Sequence, residues 1–109
     1  MGLSPGEQIL DMVHVDDAAS AFLVAARRLL AAPAPLMESF LVSGERMTVR
    51  QLVARMAGAG LPVQAQWGAR PYRPREVMVP CDPGGHRLPG WAPAVSLERG
   101  LREAFEAMP

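Results

Sequence analysis

The sequence of 109 residues contains no lysine and no asparagine, one isoleucine, Ile9, and one cysteine, Cys81. Without lysine there can be no Walker loop, whose lysine contacts phosphate. A lone cysteine excludes an intramolecular disulfide and agrees with a reducing compartment. Because the missing residues have AT-rich codons, the preference for arginine reflects codon bias and does not by itself indicate bidentate anion recognition.

Excess charge of one sign is also absent, since 11 basic residues balance 11 acidic ones. This balance argues against a nucleic-acid-binding surface and against polybasic membrane contact. No apolar run approaches the roughly 20 residues that span a bilayer, and the first residues lack the pattern of a signal peptide. We therefore expect a cytoplasmic protein made of a single domain, residues 1–109.

Hydrophobic periodicity predicts a small α/β domain with a mixed sheet and about three helices. Alternating apolar residues predict the strands Ile9 to Val15, Ser39 to Ser43, Val63 to Trp67 and, more briefly, Glu76 to Val79. Capping residues predict helices that begin at Asp16 or Asp17, at the Thr48–Gln51 capping box and after Ser96. Gly68 to Pro93 is predicted to be a long loop system.

The first predicted helix extends to about Ala31 and carries an apolar stripe of Ala18, Phe22, Ala25 and Leu29. This spacing is typical of a helix that packs one face on a core. Gly58 and Gly60 are predicted to end the second helix, and no G-x-G-x-x-G dinucleotide loop occurs anywhere.

Two clusters of polar residues resemble sites but favour structural roles. His14 with Asp16 and Asp17 lacks the distant partner ligands that a metal site requires. Cys81, Asp82 and His86 lie too close together in sequence for a catalytic triad, whose members come from separate elements.

The strongest candidate for chemistry is the segment Pro71-Tyr72-Arg73-Pro74-Arg75-Glu76-Val77. Its prolines stiffen a loop that carries two guanidinium groups, and guanidinium matches the geometry of phosphate oxygens. A carboxylate at Glu76 suits a sugar or ribose hydroxyl. The alternative is a solvated loop in which arginine and glutamate pair with each other.

Five segments in order resemble the extended short-chain dehydrogenase/reductases, a family of NAD(P)-dependent sugar-nucleotide epimerases and dehydratases. The chain is similar to the family patterns "pGeq-x-rDfvhVdDva", "yNvgsge", "RPgEv", "aD" and "lGWxPxxsLeeGL". The matching segments here are Pro5 to Ala18, Phe40 to Glu45, Arg73 to Val77, Asp82, and Gly90 to Leu101.

This resemblance implies the C-terminal, substrate-binding lobe of the family without its Rossmann domain. It implies substrate-binding residues Arg73, at the diphosphate, and Glu76, near the ribose, whereas Leu10 replaces the family's other diphosphate arginine. The catalytic Tyr-x-x-x-Lys pair is missing, so we expect no catalytic residue, cofactor or metal site and no independent turnover. Expected partners are a weakly bound nucleotide sugar and either a second copy of the chain or a separate Rossmann-domain polypeptide.

Overall fold

The structure, a computed structural model, describes residues 1–109 as an α/β fold with three α-helices and a two-stranded antiparallel sheet. The α/β class and the three helices agree with the sequence-based prediction. The elements in chain order are β1 (Ile9–Met12), α1 (Val15–Ala31), β2 (Glu45–Thr48), α2 (Val49–Gly58) and α3 (Leu97–Glu106). A short 3-10 turn lies at Gly84–His86.

The sheet pairs Ile9 with Thr48 and Met12 with Glu45. The Asp11 carboxylate fixes this pairing, because it accepts hydrogen bonds from the Ser43 hydroxyl (2.6 Å) and the Gly44 backbone N–H (2.7 Å). It also accepts a hydrogen bond from its cross-strand partner Arg46. Burial raises the pKa of Asp11, but these hydrogen bonds and the Arg46 charge outweigh burial and hold the pKa below its ordinary value.

Each helix begins at a side-chain cap. The Thr48–Gln51 capping box of α2 is confirmed, with Thr48 accepting from the Gln51 N–H and Gln51 accepting from the Thr48 N–H. Ser96 caps α3 as predicted. The predicted cap of α1 at Asp16 or Asp17 is wrong, because the cap is His14, whose Nδ1 accepts the Asp16 backbone N–H (3.0 Å). The strand predicted from Ile9 to Val15 is shorter, since β1 ends at Met12 before this cap.

The predicted strands at 39–43, 63–67 and 76–79 do not form ladders, so the sheet is antiparallel and not mixed. Leu41 makes one isolated bridge to Arg87, and Gln66 makes one to Gly2. The apolar side chains of Val63 to Trp67 do alternate in burial as predicted. The six prolines from Gly68 to Pro93 remove backbone donors from this region, which forms the predicted long loop system but lacks the short strand that was predicted at Glu76 to Val79.

The molecule is elongated, with a radius of gyration of 17.1 Å, whereas a compact domain of this length has about 13 Å. Seven residues are buried. They are Gly6, Asp17, Ala21, Ser43, Met47, Pro83 and Leu88. A core this small leaves many large apolar side chains exposed, including Phe22 and Leu30.

The apolar stripe of α1 does not face the core as predicted. Phe22 is 78% exposed and Leu29 is also exposed. The side of α1 that faces the rest of the molecule carries polar or small residues. Ser20 accepts a hydrogen bond from the Trp91 indole (2.9 Å), and the Asp17 carboxylate accepts hydrogen bonds from the backbone N–H groups of Ala94 and Val95. These hydrogen bonds turn the large apolar side chains outward.

Candidate functional site

The loop that carries Arg73 and Glu76 is fastened to the start of β1 on both of its sides. On one side the Tyr72 hydroxyl accepts the Glu7 backbone N–H (3.0 Å). On the other, the Ile9 backbone N–H donates to the Met78 carbonyl (2.8 Å). The loop therefore holds a fixed position without belonging to a strand.

Between these anchors the backbone N–H of Glu76 donates to the Arg73 carbonyl (3.0 Å), which closes a four-residue turn. Pro74 is its second residue and Arg75, at φ 62°, is its third. A proline followed by a positive φ is the pattern of a type II turn, whose third position favours glycine. Arg75 thus takes a conformation that costs an L-residue about 1–2 kcal/mol.

Arginine pairing differs sharply along the chain. Five of the 11 arginines form ion pairs, and they are Arg28, Arg46, Arg50, Arg55 and Arg99. Arg70, Arg73 and Arg75 are exposed and form none, and Glu76 has no side-chain partner either. The Arg–Glu pairing that the sequence left open is therefore not formed, and three cations stand free within six residues. Sequence reasoning passed over Arg70, although it lies only three residues before Arg73.

The position that resembles the family's second diphosphate arginine is occupied by Leu10, a half-buried residue paired with Met47. The neighbouring cation, Arg46, does not replace it. Arg46 binds the Asp11 carboxylate and the carbonyls of Pro80 and Cys81. Each of its three guanidinium nitrogens donates to a group of the protein itself, and none of these acceptors lies in the loop that carries Arg73 and Glu76.

A concave surface lies at the opposite end of β1, away from Arg73 and Glu76. It is a cleft of about 800 Å³ between the β1–α1 junction and α3. Its walls are largely apolar, with Val13, Val15, Val95, Leu97 and Leu101, and its acidic groups are Asp16, Asp17, Glu45 and Glu103. The sequence did not indicate this cleft, because segments about 80 residues apart form it.

His14 lies in this cleft, but both of its ring nitrogens are engaged. Nδ1 accepts the Asp16 N–H, so the neutral ring carries its proton on Nε2, which donates to Glu103 (2.7 Å). Hydrogen bonds from His14 and Arg99 lower the pKa of the Glu103 carboxyl. His14 therefore joins the start of α1 to α3.

The other clusters considered in the sequence do not assemble. No group of three or more His, Cys, Asp or Glu side chains is placed to hold a metal ion. The Asp82 carboxylate accepts the Gly84 backbone N–H (3.0 Å), and no hydrogen bond connects it to Cys81 or His86.

None of the three helices is both long and apolar enough to cross a membrane. Comparison with known proteins gave no match to a protein-family model and no match to a curated protein.

Proposed function

We propose that this chain is the substrate-binding lobe of an NAD(P)-dependent sugar-nucleotide epimerase or dehydratase and has no catalytic activity of its own. In this proposal the loop Arg70–Glu76 binds the diphosphate of a nucleotide sugar, with Arg73 as the main contact. Glu76 accepts a hydrogen bond from a ribose or sugar hydroxyl. Any NAD(P) belongs to a separate coenzyme-binding domain.

The observation that carries this proposal is the free state of Arg70, Arg73 and Arg75. Five of the eight other arginines form ion pairs, whereas these three have neither an ion pair nor a side-chain hydrogen bond. Because the turn is anchored, its backbone loses little conformational entropy when an anion binds. The resemblance of Arg73 to Val77 to the family pattern "RPgEv" supports the same assignment.

Affinity is expected to be low, because Leu10 supplies no second phosphate contact. One charged hydrogen bond to phosphate is worth about 1.5–3 kcal/mol, which corresponds to one to two decades in affinity. The residues themselves support the proposed absence of turnover. Tyr72 is the only tyrosine and its hydroxyl is bound to Glu7, and there is no lysine to act beside it.

The test is calorimetric titration of the chain with UDP-, GDP-, CDP- and dTDP-sugars at low salt. We expect saturable binding of at least one ligand, weakened about ten- to a hundredfold by Arg73→Ala. Arg27→Ala is the matched control, because Arg27 is also exposed and unpaired but lies on α1. The proposal fails if no ligand saturates at millimolar concentration, or if the two substitutions weaken binding equally.

A second candidate function is an interaction module that covers its apolar surface with a second polypeptide. The observation in its favour is the exposed face of α1, where Phe22 and Leu30 are 78% and 86% exposed. Monomeric proteins rarely expose contiguous apolar patches of more than a few hundred Å². Light scattering at micromolar concentration tests this candidate, and a monomer that binds no apolar dye would contradict it.

A further inference from the structure

The outward face of α1 is apolar along its whole length. At 100° per residue, seven side chains lie within about 120° of one another on this face. They are Val15, Ala19, Phe22, Leu23, Ala26, Leu29 and Leu30, and all seven are exposed. The charged residues Asp16 and Arg27 lie only at its margin. We call the seven apolar side chains together the α1 face.

The opposite side of the same helix carries its polar groups. Asp17 is 4% exposed and Ser20 is half-buried, and both are hydrogen-bonded to the loop before α3. A surface helix of a globular protein usually exposes its polar groups to water and packs its leucines against the core. Since the hydrogen bonds of Asp17 and Ser20 prevent α1 from rotating, only a second molecule can cover the α1 face.

The spacing of the α1 face is that of a coiled-coil seam. Val15, Ala19, Phe22, Ala26 and Leu29 follow one another at intervals of four, three, four and three residues. This is the heptad pattern whose core positions pack between two helices. Small residues alternate with large ones along it, because alanine occupies both positions between Val15, Phe22 and Leu29.

We propose that a second copy of this chain covers the α1 face, with the two α1 helices packed antiparallel. This inference rests on the second proposed function and names its interface. In the register that suits the pattern, Phe22 packs on the partner's Ala26 and Leu29 packs on the partner's Ala19. A twofold axis near the middle of α1 makes each contact occur twice. Phe22 and Leu29 then each meet an alanine.

The lack of charge and the pattern of side-chain sizes both favour a second copy. The face has no charged or hydrogen-bonding side chain that would select a different partner, whereas its alternation of small and large residues is complementary to itself. Five of its side chains are large and more than half exposed. One face of a helix about 25 Å long forms a contact smaller than the roughly 800 Å² per partner of standard interfaces, which is the size of contact that a single pair of helices makes.

The first experiment measures self-association by sedimentation equilibrium at micromolar concentration. We expect a dimer for the natural sequence and a monomer for Phe22→Glu and Leu30→Glu, with the dissociation constant raised at least about a hundredfold. Ala54→Glu adds the same charge to an exposed position of α2 and is expected to leave the dimer intact. Far-ultraviolet circular dichroism shows that the variants keep their helices.

A volume exchange tests the register and does not depend on a disruptive charge. Phe22→Ala leaves a cavity beside the partner's Ala26, and Ala26→Phe overlaps the partner's Phe22, so each alone is expected to weaken the dimer about tenfold or more. The double variant restores a large residue opposite a small one. We expect its dissociation constant to return to within about threefold of the natural value.

The outcomes separate the two levels of the proposal. A natural chain that is monomeric and binds no apolar dye contradicts both the interaction module and the dimer. A monomer that binds apolar dye at α1 would show that the face is exposed and would contradict pairing between two copies. A stable complex with a separate coenzyme-binding polypeptide would also contradict pairing between two copies. A dimer that survives Phe22→Glu overturns only the interface, and a double variant that is not restored overturns the antiparallel register.

Discussion

The Asp17 carboxylate accepts a hydrogen bond from the backbone N–H of Ala94, 77 residues later in the chain, at 2.9 Å. Its second oxygen accepts the neighbouring Val95 N–H (3.0 Å). One side chain thus joins the first turn of α1 to the segment that leads into α3. This contact determines which side of α1 faces the rest of the molecule, and therefore which side faces outward.

Asp17→Asn is expected to lower the melting temperature and to weaken the dependence of stability on acid pH. The Ala94 and Val95 N–H groups hold the pKa of Asp17 below its ordinary value. A carboxyl with a lowered folded-state pKa stabilises the fold fully above its unfolded pKa of about 3.9, and this stabilisation is lost as pH falls toward the folded value. Thermal unfolding between about pH 6 and pH 2 measures the effect.

The matched control for this substitution is Asp16→Asn, one residue earlier on the exposed side of α1. The Asp16 carboxylate is 3.8 Å from His14 Nδ1 and accepts no hydrogen bond. Its replacement is expected to leave the melting temperature at neutral pH within experimental error. Equal losses in the two variants would show that Asp17 does not hold α1 in place.

Gly44→Ala is expected to destabilise the fold by about 3 kcal/mol or more. A Cβ atom at this position would lie 1.9 Å from the Met12 carbonyl oxygen. The Gly44 backbone cannot withdraw, because its N–H is bound to Asp11. Urea denaturation provides the measurement.

Gly58→Ala at the end of α2 is the control for glycine replacement, since no atom lies within 4 Å of its Cβ position. There the substitution is expected to stabilise the chain by about 0.5–1 kcal/mol through helix propensity. A tolerated Gly44→Ala would mean that β1 and β2 do not pack as described.

Arg75→Gly is expected to raise the free energy of unfolding by about 0.5–1 kcal/mol. The positive φ of Arg75 costs about 1–2 kcal/mol, and the greater unfolded-state freedom of glycine offsets part of that gain. Arg75→Ala removes the same charge but keeps the strained conformation, so its urea midpoint is expected to stay close to that of the natural chain. If alanine stabilises as much as glycine, charge repulsion is the cause and not backbone strain.

His14→Ala is expected to destabilise the chain more than His14→Asn. Asparagine keeps an acceptor for the Asp16 N–H at the start of α1 but does not reach Glu103 as the imidazole does. The difference between the two variants is therefore the value of the cap, about 1 kcal/mol. Urea denaturation at neutral pH compares them, and equal losses would place the whole contribution of His14 in its bond to Glu103.

Much of the candidate site was predictable from local sequence. Proline stiffening around Arg73 and Glu76 indicated an irregular loop, and the structure has one. The absence of Arg–Glu pairing was not predictable, because it depends on the turn at Pro74 and Arg75 and on the anchoring of Tyr72 to Glu7. The cleft around His14 was not predictable either, since β1, α1 and α3 reach it from distant parts of the chain.

The sequence by itself determined the helices, the capping box of Thr48 and Gln51 and the cap at Ser96, because these depend on residues within one turn of each other. Only the tertiary structure decided which strands pair and which way α1 faces. Strand pairing requires a partner that local pattern does not name. The orientation of α1 follows from hydrogen bonds of Asp17 and Ser20 to residues more than 70 positions away, which outweigh the preference of Phe22 and Leu29 for an interior.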